Sequence, residues 1–229
     1  MPQWHIKQKD LLNYVEVYLN NEKVRTESGA MRYYQGPIDM VSKLPSVGGF
    51  IKSRLSGEKV IRPEYAGKGK LVLEPSFSHF FELELYDETY VLDRGAYWAS
   101  DESIKADIKV NKFSTSILSG EGIVQTAVSG TGSVIVRAPG PVEVIDLMND
   151  RLVVDGSFAV ARSASLDFSI QKSTKSLLGT VTSGEVLVNV LQGTGRVYLA
   201  PIPSQSLMMQ QVMAATLEGM LAKFKPHQQ

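Results

Sequence analysis

The residue patterns most able to do chemistry in this chain are three Gly-x-Gly triplets, Gly67-Lys68-Gly69, Gly130-Thr131-Gly132 and Gly193-Thr194-Gly195. A glycine pair can wrap a phosphate when a helix follows it, because the helix N-terminus offers free N–H groups to the anion. Here each triplet runs into strand-forming residues instead: Lys70-Leu71-Val72-Leu73, Ser133-Val134-Ile135-Val136 and Arg196-Val197-Tyr198-Leu199. A proline follows each run and stops the ladder, having no N–H to give. No triplet extends to Gly-x-Gly-x-x-Gly. We therefore read Gly67, Gly69, Gly130, Gly132, Gly193 and Gly195 as structural turns, where positive φ or close backbone approach is needed.

The remaining reactive side chains form no constellation. His5, His79 and His227 stand alone, with no His-x-His and no acid at ligand spacing, so a cupin-like metal site lacks its ligands. Glu58, Glu121 and Glu185 each follow a Ser-Gly pair. Three such carboxylates could converge on a hard cation, although accepting turn N–H groups is the commoner role. There is no Gly-x-Ser-x-Gly elbow, and Ser163, Ser165 and Ser169 have no local histidine. Cysteine is absent, which removes disulfides, thiolate ligands and thiol nucleophiles together and fits a reducing compartment. The sequence accordingly points to no catalytic residue, no cofactor and no metal.

The triplets belong to a longer repetition. Their first glycines are 63 residues apart in both intervals. Each is preceded by a Ser-Gly-Glu phrase, and each repeat opens on a related stretch: VEVYLNNEKVRTESGAM at 15–31, FELELYDETYVLDRGAY at 81–97 and VEVIDLMNDRLVVDGSF at 142–158. Aligned without a gap, these put Glu16, Glu82 and Glu143 together, as well as Gly29, Gly95 and Gly156; an acid precedes the glycine by two residues in the first two copies and by one in the third. Met31, Tyr97 and Phe158 share an apolar slot in this alignment. Alternating apolar and polar residues around a polar turn (Asn20-Asn21, Asp87-Glu88, Asn149-Asp150) predict hairpins. The expectation is a mostly β chain. Three pseudo-equivalent units of about sixty residues (15–75, 81–139 and 142–201) form one β-sandwich or barrel-like domain over 1–203, because one such unit buries too little alone.

Beyond Pro203 the β-period ends. Met209, Met213, Leu217, Met220, Leu221 and Phe224 fall on one face of a helix over 204–224, with Ser204 or Ser206 as N-cap and Pro226 as its stop. The helix packs on its own sheet or on a neighbouring subunit, and adaptable methionines suit the second role. Lys plus Arg balances Asp plus Glu at 24 each, which argues against nonspecific nucleic-acid binding. Tyr33-Tyr34, Phe80-Phe81 and Trp98, near Arg32 and Arg94, could stack on single-stranded RNA, yet the repeat slots read most of them as core. No run of about 20 apolar residues spans a bilayer. The polar face of the helix is not strongly basic, so contact with a membrane surface is a minor role at most.

With VRTESGAMRYY, GTGSVIVRAPGPVEVIDL, LVVDGSFAVA and GTGRVYLAP in place, the chain over about 12–202 resembles the altered inheritance of mitochondria protein 24 family. The resemblance implies a fold like that of the tryptophan RNA-binding attenuation protein superfamily, a β-structure of three pseudo-equivalent units. It also implies homo-oligomers, and it supplies no catalytic residues. The N-terminus shows no presequence, which favours a cytoplasmic location. The expected function is a non-enzymatic scaffold or interaction protein, a homo-oligomer with room for a protein partner. An RNA- or small-ligand-binding module is the alternative, and a membrane-associated organiser comes third.

Overall fold

The computed structural model describes residues 1–41, 62–111, 123–155, 158–172 and 187–223. Within them the chain is β-structure up to residue 199. A leading strand β1 (Gln3–Lys9) is followed by β2 (Leu12–Thr26), β3 (Met31–Gln35), β4 (Ile38–Val41) and β5 (Glu64–Leu73). The second unit comprises β6 (His79–Leu92), β7 (Tyr97–Asp101), β8 (Lys105–Asn111) and β9 (Ile123–Ala138). The third comprises β10 (Glu143–Asp155), β11 (Ala159–Ser163), β12 (Asp167–Lys172) and β13 (Leu187–Leu199), after which comes the helix α1 (Gln205–Lys223). Each unit is thus a long strand, two short ones and a second long strand.

One pairing scheme serves all three units. The long strands pair antiparallel (β2 with β5, β6 with β9, β10 with β13), and the two short strands lie end to end along the far edge of the second long strand. Each long pair is interrupted by a bulge at the polar turn foreseen in the sequence. Asn21, Asp87 and Asn149 hold positive φ there (65°, 58° and 52°), a conformation that short polar side chains tolerate. The long strands therefore continue through the bulge instead of ending in a hairpin loop.

The structure corrects the gapless alignment of the third copy. Val72, Ile135 and Tyr198 are equivalent by their place after the glycines, and their partners across the ladder are Glu16, Glu82 and Val144. Val144, not Glu143, is the counterpart of the two glutamates, so the third copy is one residue out of step. With that shift Asp155 falls opposite Glu27 and Asp93, and the acid that had looked displaced is in register. Ala159, not Phe158, takes the slot of Met31 and Tyr97. Phe158 lies in the surface, and its carbonyl accepts from Ala200 N–H as those of Ala30 and Ala96 accept from Glu74 and Arg137. Gly156 lies outside the described residues.

The units join by trading strand edges. The end of β2 pairs with β7 of the second unit (Val24 with Asp101, Arg25 with Ser100, Thr26 with Ala99). The end of β6 pairs with β11 of the third unit in the same register (Tyr90 with Ser163, Val91 with Arg162, Leu92 with Ala161). Among the described residues one continuous hydrogen-bonded sheet results, running from β10 at one end to β3 at the other and not closed into a barrel. The apolar cores follow the junctions. The first combines Val15, Val17, Leu71 and Leu73 with Phe80, Trp98 and Ile135 of the second unit. The second combines Leu83, Leu85 and Val134 with Val160, Ala161 and Ala200 of the third. Among the described residues the third is the smallest and takes its members, Leu147, Leu191 and Val197 included, from its own unit.

Because the first and second cores each borrow from the unit after them, the repeats fold together. A fragment of residues 1–140 loses the third unit's share of the second core and bares the edge of β6. It is expected to aggregate or to give a poorly dispersed amide NMR spectrum. A sharp, dispersed spectrum from a monomer would show the units to be independent.

Candidate functional site

The three glycine triplets lie where the two short strands of each unit turn over the second long strand. In the first unit the Gly36-Pro37 turn between β3 and β4 rests on the β5 backbone. A Cβ at Gly67 would meet Pro37 O at 2.1 Å, and one at Gly69 would meet Gln35 O at 2.1 Å. Both have φ far into the positive range, 141° and 153°. Gly130 and Gly132 (φ 124° and 140°) lie under the β7–β8 turn, with Ser103 O 2.8 Å from a Cβ at Gly130 and the Ser103 hydroxyl 2.8 Å from one at Gly132. Gly193 also has positive φ, 120°. Gly195 does not; a Cβ there would press on Ser163 Cβ at 2.9 Å and Leu166 Cγ at 3.0 Å, so only close approach requires glycine. The middle residue ties the corner together. Thr131 and Thr194 accept through their hydroxyls from the bulge amides of Asp87 and Asn149 (3.0 Å each), and their carbonyls accept from the Ser103 and Ser165 hydroxyls (2.7 and 3.0 Å). These bonds give Thr131 and Thr194 a structural part in the corner, although both residues, like Lys68, lie at the surface.

The aromatic residues divide into two groups. Phe80 and Trp98 pack together in the first core at 5.6 Å between ring centroids, and Phe81 stacks on Tyr198 at 5.4 Å. Tyr33 and Tyr34, with Arg32, are exposed on β3. Most guanidiniums near rings are engaged internally. Arg137 lies 5.0 Å from the centre of the Trp98 ring and donates to Gly95 O at 2.9 Å, and burial lowers its pKa. Arg162 lies 4.2 Å over Phe168 and donates to Gln125 Oε1 at 3.2 Å; burial pulls its pKa down to about 10. Arg62 covers the Tyr97 ring at 4.7 Å and donates to Ala106 O, and burial raises the Tyr97 phenol.

A cleft of about 230 Å³ opens at the root of α1, lined by Ser78, Asp93, Arg94, Arg137, Pro139 and Leu207 among others. It is smaller than the roughly 300–1,000 Å³ of sites that enclose a small-molecule ligand. No group of three or more His, Asp or Glu able to hold a metal ion occurs among the described residues. His5 stands edge-on to Tyr18 at 5.5 Å, and His79 pairs within the β6–β9 ladder. Glu58, Glu121, Glu185 and His227 lie outside the described residues.

The helix begins where the sequence places it, and its root is fixed. Ser204 is buried; its hydroxyl donates to Phe77 O at 2.8 Å and accepts from Leu207 N–H at 3.1 Å, so one side chain caps α1 and clasps the loop before β6. Ser204 N–H also donates to Pro139 O at 2.9 Å. Beyond this anchor the helix leaves the sheet. From Met208 to Thr216 every residue is exposed, with Met213 at 66%. Of the stripe, Met209 and Met213 are exposed; Leu217, Met220 and Leu221 follow on the same helix, and Phe224 lies outside the described residues. Met208 and Val212 add apolar surface away from that stripe, a broadening that spacing by threes and fours did not reveal. No helix among the described residues is long and apolar enough to cross a membrane.

Replacing Gly69 or Gly132 with valine forces a β-branched residue into positive φ and against backbone or turn atoms. Each substitution should cost about 3 kcal/mol or more in chemical denaturation of the protein alone, with no ligand present. Gly193, with nothing nearer than 3.8 Å to a Cβ, should tolerate alanine better than Gly69 does.

Comparison with known proteins agrees with this architecture. A protein of Streptococcus pyogenes serotype M6, itself described only as uncharacterised, is 26% identical over 231 residues, spanning 96% of this chain and 88% of its own length. An X-ray structure of a Streptococcus pyogenes protein shares the fold with a TM-score of 0.71 at 24% identity, covering 96% of this chain and 100% of that one. The sequence profile described as "Mitochondrial biogenesis AIM24" matches residues 4–202, from within β1 to just past β13. A match over that span, which takes in all three units, establishes that the chain belongs to this family.

Proposed function

We propose that this chain is a non-enzymatic scaffold or interaction protein, in which the three-unit sheet is a rigid platform and α1 contacts another protein molecule, in the first instance a further copy of the chain. The observation that carries the reading is the helix. It is rooted by a buried cap yet exposed from Met208 to Thr216, with Met208, Met209, Val212 and Met213 in water. Covering each such side chain is worth about 1.5–3 kcal/mol, and a helix of this length is marginal when nothing packs on it. Methionine suits the task because it adapts to irregular surfaces. The close backbone approach at the glycine triplets and the packing of Arg62, Arg137 and Arg162 on rings give these residues structural parts in this reading. The absence of cysteine fits a reducing, cytoplasmic setting.

A second reading, binding of single-stranded RNA, has one observation in its favour: Arg32, Tyr33 and Tyr34 are exposed together on β3. The absorbance ratio at 260 and 280 nm of freshly purified protein separates the two readings, because co-purifying nucleic acid supports only the second.

Deleting residues 204–229 tests the main reading. The truncated protein should keep its β-sheet circular dichroism and melt within a few degrees of the full chain, while its native mass by light scattering falls. An unchanged mass would remove α1 as the assembly element, and unfolding would make it a lid on its own core.

A further inference from the structure

We infer that the cleft at the root of α1 binds a carboxylate, held by Arg94 and Arg137, with a short aliphatic group lying on the apolar wall beside them. The carboxylate belongs to a small free acid or to the last residue of a peptide. This goes beyond the assembly reading and does not depend on whether α1 joins copies.

The repeats show that folding does not ask for these two arginines. Arg137 N–H donates to Ala96 O at 2.7 Å, as Glu74 N–H donates to Ala30 O and Ala200 N–H to Phe158 O. Arg137, Glu74 and Ala200 are therefore equivalent. Arg94 follows Asp93 as Ser28 follows Glu27 and Gly156 follows Asp155. In the first unit Ala30 N–H donates to Glu27 O at 3.1 Å, and in the second Ala96 N–H donates to Asp93 O at the same distance. The first unit thus makes the same turn with Ser28 and Glu74, and the third has Gly156 and Ala200 at these places. The second unit alone puts two guanidiniums there.

Both the cleft and its charge are built in. Ile202 lies on the backbone of Gly140, where a Cβ would overlap Ile202 O, and Ser204 clasps Phe77 O and Pro139 O, so the wall that carries Leu207 is fixed. Arg137 lies on the Trp98 ring and spends one N–H on Gly95 O. A guanidinium has five N–H donors in a planar fork, so most of this one is left for an acceptor. Gly95, with φ at 72°, keeps the turn clear of it; a Cβ there would stand 3.3 Å from Arg137 Nη2. Burial lowers the Arg137 pKa, the mark of a cation partly stripped of water, and an anion beside it would offset that loss. Neither Arg94 nor Arg137 forms an ion pair among the described residues. Asp93 is the acid of the cleft; its N–H donates to Val160 O at 2.9 Å, and its carboxylate acts on the buried Arg162. The first turn of α1 carries no acid, so the positive end of the helix dipole adds to the two arginines.

These features choose the ligand. A guanidinium fork matches a carboxylate in a two-bond contact. Ala96, Ala138, Pro139, Val160 and Leu207 offer apolar surface next to it. At about 230 Å³ the cleft is too small for a whole drug-sized ligand, so it takes a very small acid or one end of a longer chain.

Isothermal titration calorimetry of the full-length protein tests this with isovalerate, its uncharged counterpart isovaleramide, inorganic phosphate, and a short peptide ending in leucine with a free or an amidated C-terminus. Isovalerate or the free-ended peptide should bind at one per chain, about tenfold or more tighter than its amide and than phosphate. The tighter of the two names the source of the carboxylate. Arg94→Ser and Arg137→Glu install the residues of the first unit, and each should weaken binding about tenfold or more. Arg32→Ser, on the exposed face of β3, should leave it unchanged. Arg94 is at the surface, so Arg94→Ser should melt with the wild type and carries the test even if Arg137→Glu does not fold. The inference is overturned if acid and amide bind alike, if phosphate binds as well as isovalerate, if Arg94→Ser binds like the wild type, or if neither carboxylate binds at millimolar concentration.

Discussion

Everything in this molecule hangs on a three-residue antiparallel contact in which the end of one unit's first long strand takes up the short strand of the next. Backbone pairing at that point is reinforced by side chains. The Arg25 guanidinium donates to the carbonyls of Glu102 and Ile104 across the first junction (2.9 and 2.7 Å) while holding the buried Glu64 carboxylate at 2.9 Å. Hydrogen bonds from a charged donor to a partly desolvated acceptor are worth about 1.5–3 kcal/mol each, more than an exposed ion pair such as Arg32 with Glu74. The apolar cores sit directly behind these contacts, so the sheet edge and the hydrophobic term are lost together.

The glycine corners serve the same end. A short strand can reach the neighbouring unit only if its far end turns tightly over its own second long strand. Removing the Cβ atoms at that crossing lets two backbones approach within hydrogen-bonding distance, as Lys68 N–H does to Pro37 O at 3.0 Å. The threonines of the second and third triplets then satisfy the amides that the bulge leaves without ladder partners. The first unit has Lys68 in that place, which offers no hydroxyl, and next to its bulge the Glu22 carboxylate accepts from Asn20 N–H.

Much of this was legible in the sequence, for a physical reason. A pattern repeated at a fixed interval reports the period of the backbone, and glycine, proline and polar bulge residues mark points where backbone geometry leaves little choice. The one-residue slip of the third copy was not legible, because Val142-Glu143-Val144 matches Val15-Glu16-Val17 residue for residue in the gapless register and only the ladder puts Val144 in the place of Glu16. The exposure of Tyr33, Tyr34 and Phe158 was likewise hidden. The counterparts of Tyr33 and Tyr34 are covered by the long strand of the preceding unit and Phe158 sits in a shifted slot, and sequence alone shows neither which unit lacks a predecessor nor where the slip falls. The helix was readable as a helix with its Ser204 cap. Its apolar stripe states that something must cover it, without stating what.

Both tryptophans of the chain, Trp4 and Trp98, belong to the first core, and the Trp4 indole N–H donates to the buried Asp101 carboxylate across the first junction at 2.9 Å. Intrinsic fluorescence is therefore a local instrument in this molecule. Its emission follows the opening of the seam between the first and second units and is blind to the third. A denaturation curve recorded that way, set beside one from circular dichroism, would resolve the order in which the repeats come apart.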